Sequence, residues 1–149
     1  MDKPSYHFKA SPDALLYEFE SISEAKTIRK VVVFEPLIDE LYHLGFGDLT
    51  LNGDIDYKIQ SKNKDMDKVL MTVVKTMFLF FDNYPDKKIV FGGSTESRSR
   101  LYGQIITKFI EKAELYFDIE GFTTDGTQEK FQKNRSCYAF LISQKYEEV

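Results

Sequence analysis

A chain of 149 residues with ordinary apolar and charged fractions reads as one domain with a substantial core. Its net charge of −4 opposes nucleic-acid binding through bulk electrostatics. A lone cysteine, Cys137, excludes an internal disulfide framework and any cysteine-based zinc cluster. There is no basic segment followed by an apolar one at the N-terminus. The longest apolar cluster, Met77-Phe78-Leu79-Phe80-Phe81, falls far short of the roughly 20 residues that span a bilayer. These features predict a cytoplasmic protein with no membrane contact, no metal and no cofactor. Thirteen Phe, nine Tyr and no Trp predict an aromatic core.

Tyr6-His7-Phe8-Lys9 and Leu15 to Glu20 read as the first strands, separated by the turn Ser11-Pro12-Asp13. Ile28 to Phe34 is β-rich, and Pro36 ends it. Tyr42 to Asp48 alternates in the manner of a strand with one buried face. Asn52-Gly53 signals a hairpin, because both residues tolerate positive φ. Beyond it, Ile55, Tyr57 and Ile59 share one face of a further strand. Met66, Val69, Leu70, Val73, Val74, Met77, Phe78, Phe81 and Tyr84 then recur at helical spacing until Pro85 stops them, with caps offered between Asn63 and Asp67. Lys88 to Phe91 is a short strand. Leu101, Tyr102, Ile105, Ile106, Phe109, Ile110 and Ala113 form the stripe of a second helix. Phe117 to Thr123 and Cys137 to Gln144 close the chain as strands, with the polar loop Thr124-Asp125-Gly126-Thr127 between them. The expected architecture is a single α+β domain over 1–149: one twisted, mostly antiparallel sheet of six or seven strands, with two amphipathic helices packed on one face.

The most informative segment is Phe91-Gly92-Gly93-Ser94-Thr95-Glu96-Ser97-Arg98-Ser99-Arg100-Leu101-Tyr102. A strand running through glycines and hydroxyls into a helix collects free backbone N–H groups, which suits an anion. Gly93, Ser94, Thr95, Arg98 and Arg100 are therefore the candidate ligand-binding residues. Residues two apart on a helix diverge by about 200°, so only one of the two arginines is expected to face a ligand. The spacing matches neither a Walker loop nor a dinucleotide fingerprint. The same residues also have a structural reading, with glycine supplying an unusual backbone angle and the arginines paired to internal carboxylates.

Asp48, Asp54 and Asp56 form an acidic group about the Asn52-Gly53 turn. Asp54 and Asp56 share a strand face, as a pair that could hold Mg²⁺ or act as acid and base. A solvated hairpin face, or partnership with the two arginines, are the structural alternatives. Cys137 reads as a small strand residue, and His7 and His43 as structural or surface histidines.

Tyr42-x-Leu44-x-Phe46-Gly47-Asp48, Gly53-x-Ile55-Asp56, Asp67-Lys68-Val69-Leu70-x-Thr72-Val73 and Gly93-Ser94-Thr95-x-x-Arg98-x-Arg100-Leu101-Tyr102 together resemble a family of small uncharacterised bacterial proteins, a domain of unknown function. The resemblance runs from about Val31 to Ile142, and it implies a compact intracellular domain without an assignable activity. Gly92 stands where the resemblance implies a lysine in relatives. Three functions follow as expectations: a binding protein for a small phosphate- or carboxylate-bearing ligand; a protein-interaction component, self-associating or part of a bacterial stress or defence gene pair; and an enzyme of phosphoryl-transfer or nuclease-like type using the aspartates with an arginine.

Overall fold

Alternation builds the strands. In Leu16–Ile22 (β2), Tyr17, Phe19 and Ser21 are buried while Leu16, Glu20 and Ile22 stand exposed, the period of a strand with one covered face. The computed structural model describes residues 4–56, 64–92, 103–132, 135 and 137–145, with the side chains of 103–106 outside the description. Among the described residues there are nine strands and two helices, an α+β fold with an open, mostly antiparallel sheet. The strands are Lys9–Ala10 (β1), β2, Thr27–Pro36 (β3), Leu41–Leu49 (β4), Ile55–Asp56 (β5), Lys88–Gly92 (β6), Phe117–Thr123 (β7), Gln128–Lys130 (β8) and Cys137–Gln144 (β9). They follow the order β1-β2-β3-β4-β6-β9-β7-β8, with β5 on β4. Only the β4–β6 ladder among those described is parallel. A parallel pair needs a crossover, and the chain between these strands contains the helix Met66–Asn83 (α1).

Nine strands replace the six or seven expected. β8, with three residues, is the strand too short to leave a legible alternation; β5 falls where a strand through Ile55, Tyr57 and Ile59 was expected, of which Tyr57 and Ile59 lie outside the described residues. The expected strand at Tyr6–Lys9 shrinks to β1, because Tyr6 is held elsewhere: its backbone N–H donates to Thr72 Oγ1 at 2.8 Å and its hydroxyl to Asp65 at 2.6 Å. Nor does β4 keep one open face, since Leu44 to Asp48 are all buried.

The chain divides into two compact units, residues Met1–Glu35 with Gly45–Tyr84 and residues Pro36–Leu44 with Pro85–Val149. In the first, α1 buries Val69, Leu70, Val73, Val74, Met77 and Phe81 as its spacing predicts, and Met71 and Phe80 in addition, while Met66, Phe78 and Tyr84 of the expected stripe are half-buried. Phe80 stacks on Phe34 of β3 with centroids 4.6 Å apart, and Tyr17 of β2 meets Phe34 edge-on at 5.8 Å. This is the aromatic core that the Phe and Tyr content implies. Asp65 occupies the N-cap position but makes no side-chain cap. Its carboxylate accepts instead from the hydroxyls of Tyr6 and Ser21, tying the N-terminal segment and β2 to the start of α1. At the other end the Tyr84 N–H reaches the Phe80 carbonyl at 2.8 Å and Pro85 prevents a further turn.

In the second unit, β6 pairs with β4 on one side and β9 on the other, and β9 pairs with β7. Ile89 and Phe91 are buried. Phe91 lies 4.8 Å from Phe109 of the helix Gly103–Ala113 (α2), where Phe109, Ile110 and Ala113 are fully buried and Lys108 is exposed. Described helix and expected stripe agree from Phe109 to Ala113. No helix among the described residues is long and apolar enough to cross a membrane.

Candidate functional site

Gly93, Ser94, Thr95, Arg98 and Arg100 lie outside the described residues, and so does the question of what the two arginines face. What is described is the strand that leads to them. β6 ends at Gly92 with φ +89°, a conformation open to glycine and strained for other residues. A Cβ there would lie 3.2 Å from the Tyr138 carbonyl oxygen. Gly92→Ala is expected to lower stability by about 1–2 kcal/mol in urea denaturation. Gly53→Ala, at φ +85° with open space around it, carries the strain without the crowding and should cost less.

The acidic group is split by the fold. Asp48 is 9% exposed, and its carboxylate accepts a hydrogen bond from the Lys30 ammonium, itself 5% exposed. Asp56 is the cross-strand partner of Asp48 on β5, so the two carboxylates leave the same sheet face. Asp54 is exposed in the turn, and its backbone carbonyl accepts from Thr50 at 2.8 Å. Lys30 as the partner of Asp48 escaped the sequence reading, which singled out the aspartate alone. No group of three or more metal-ligating side chains occurs among the described residues.

The second unit carries an open apolar groove of about 460 Å³, lined by Leu37, His43, Val90, Gly92, Phe122, Tyr138 and Ala139. Sheet register explains it. Val90 and Gly92 alternate with the buried Ile89 and Phe91 and so project from the opposite face of β6. His43 is paired with Val90, Ala139 with Gly92, and Phe122 with Ala139, which places all of them on that face. A register shift sets Phe122 opposite Ala139 and Thr123 opposite Cys137, leaving Tyr138 as the extra residue of a bulge. Its ring stands 46% exposed with its centroid 6.2 Å from that of Phe122. His43, read from sequence as a structural or surface histidine, lines the groove.

Residues 2–145 match the family described as Family of unknown function (DUF6934). The chain belongs to that family. The expected membership in a domain of unknown function is met at that level. No curated protein and no solved structure matches the chain.

Elsewhere in this DUF6934 chain the polar loop after β7 closes on itself. Asp125 accepts from the hydroxyls of Thr123 and of Thr127, the latter at 3.0 Å, and from Arg135 at 3.1 Å. The Thr123 hydroxyl is the largest cause, with Thr127 next, of a carboxyl pKa held down to about 2. A depressed folded pKa stabilises above the unfolded value near 4 and is lost as pH falls through about 2. The stability advantage of wild type over Asp125→Ala should therefore be constant above about pH 5 and shrink toward pH 2, read by thermal melts across that range. Arg135 also bonds Glu129 at 2.6 Å. Cys137 is half-buried at the start of β9, and burial pushes its thiol pKa up. That disfavours the thiolate a nucleophile needs.

Proposed function

We propose that this protein binds a small anionic ligand, phosphate- or carboxylate-bearing, through Gly93, Ser94, Thr95 and one of Arg98 and Arg100. The observation that supports this reading is Gly92. The chain leaves β6 at a backbone angle that glycine alone adopts without strain, against the Tyr138 carbonyl. Gly93, Ser94, Thr95, Arg98 and Arg100 follow in sequence from the end of a strand anchored by the buried Ile89 and Phe91. Connections that follow such strand ends are the usual makers of binding sites. Backbone N–H groups and a guanidinium suit oxygen anions, the latter in bidentate fashion.

The phosphoryl-transfer reading calls on Asp48, Asp54 or Asp56 with an arginine; of these the Asp48 carboxylate holds Lys30, and Asp54 is exposed in its turn. Binding is accordingly the better-supported function. Calorimetric titration with inorganic phosphate and with acetate tests it. One of Arg98→Ala and Arg100→Ala should weaken binding by about 1.5–3 kcal/mol, the worth of a charge-assisted hydrogen bond, and the other should leave it nearly unchanged. Saturable binding insensitive to both substitutions would refute this assignment.

A further inference from the structure

We infer that a cleft on the sheet of the first unit binds a small aliphatic amino acid, with its ammonium on Glu18 and Glu20 and its carboxylate on Arg29. The site shares no residue with the anion reading above and stands apart from it.

Register brings the lining together. Glu18, Glu20, Arg29 and Val31 alternate with Tyr17, Phe19, Lys30 and Val32 along β2 and β3. Tyr17 meets Phe34, which stacks on Phe80 of α1, so the first set leaves the sheet on the face away from α1. Lys9 is the cross-strand partner of Glu18, Glu18 of Val31, and Glu20 of Arg29. Leu49 follows Asp48, whose carboxylate holds Lys30 on the α1 side, and so belongs to the same outer face. These six residues line a cleft of about 220 Å³.

Charge complementarity selects the occupant. β2 presents two carboxylates in a row, and each flanking strand presents a cation, Lys9 on β1 and Arg29 on β3. Opposite charges that face each other in register attract and commonly pair. Among the described residues, however, neither Lys9 with Glu18 nor Arg29 with Glu20 forms an ion pair. All four line the cleft instead. A ligand of one charge would match half of this arrangement and be repelled by the other half. A molecule with an ammonium and a carboxylate on one carbon matches both halves. Its three N–H donors suit the two glutamates, and its carboxylate suits the two-pronged guanidinium. The same argument selects a primary ammonium over a quaternary one, which has no N–H to donate.

Size and floor narrow the class further. Val31 is 2% exposed and Leu49 half-buried, an apolar footing for an aliphatic side chain. The volume lies below the roughly 300–1,000 Å³ of sites for drug-sized ligands, which fits an amino acid better than a nucleotide.

Calorimetric titration of the full chain with L-leucine tests this. The comparison ligands are isocaproate, which lacks the ammonium, and isoamylamine, which lacks the carboxylate. Leucine should bind about tenfold or more tightly than either, since each has lost its charge-assisted contacts at one end. Glu18→Gln and Arg29→Gln should each weaken leucine binding by a similar factor. Their effects should cross: Arg29→Gln leaves isoamylamine unaffected, and Glu18→Gln leaves isocaproate unaffected. Arg29→Lys, which keeps the charge without the fork, should fall between wild type and Arg29→Gln and guards against a folding defect. In the wild-type protein the methyl signals of Val31 and Leu49 should shift along the same saturation curve.

Leucine and isocaproate binding equally, with Glu18→Gln silent, would reduce the cleft to an anion site and overturn the proposal. Leucine binding insensitive to both variants, with the Val31 and Leu49 methyl signals unmoved, would place the ligand elsewhere and overturn it too. Absence of leucine binding would do the same while leaving the phosphate and acetate result untouched.

Discussion

Asp48→Leu alone will destabilise the protein by about 3–5 kcal/mol, the cost of leaving a buried charge without its partner. The Lys30 ammonium is 5% exposed, and Asp48 accepts its hydrogen bond. Removing the carboxylate strands that ammonium beneath the sheet face; Lys30→Met strands the carboxylate and should cost a similar amount. The informative variant is the double one. Lys30→Met with Asp48→Leu replaces both charges by apolar groups of comparable size, and buried pairs replaced in this way are often neutral or gain stability. Urea denaturation of the two single variants and the double should show strong coupling between the sites. Additive losses would mean that the two residues act separately. Near-wild-type folding of the double variant would also remove Asp48 as a candidate acid without unfolding the protein. Anion binding should then persist.

Phe80→Ala should cost about 3–5 kcal/mol, the range for deleting a large buried aromatic side chain. Phe80 is fully buried, stacks on Phe34 at 4.6 Å, and meets Phe81 at 5.3 Å and Tyr84 at 5.2 Å. Its loss opens a cavity between α1 and β3 that neither element can close without moving. Leu79→Ala, next in sequence but 37% exposed, should cost less than about 1 kcal/mol. A comparable loss at both positions in the same denaturation series would contradict the packing described for α1.

Long periodic elements were legible in the sequence because burial imposes a repeat. α1 was expected from Met66 until Pro85 and runs Met66–Asn83, while β7 and β9 have the expected ends. Elements that lack room for a repeat were not legible. β8 has three residues, two of them charged, and its place is set by pairing with β7 rather than by any pattern of its own. Phe80 was left out of the predicted stripe because the buried face of α1 is wider than a single row at 3–4 residue spacing.

The candidate site divides similarly. The sequence marked the segment after β6 by residue type, and Gly92 by its chemistry. It could not show the groove, whose residues come from β4, β6, β7, β9 and the turn containing Leu37 and meet only through register. A β-bulge has no signature in residue order, so Tyr138 read simply as one strand residue among others. Lys30 escaped for a related reason: its partner Asp48 is 18 positions away, and nothing local distinguishes a buried lysine from a solvated one.

Following the backbone amide signals of ¹⁵N-labelled protein during titration with inorganic phosphate tests anion binding at this junction most directly. The amides of Gly93, Ser94 and Thr95 should shift together and saturate, with the guanidinium signal of one of Arg98 and Arg100 moving in step. Saturable shifts confined to other residues, or no saturable shift at Gly93, Ser94 and Thr95, would contradict it.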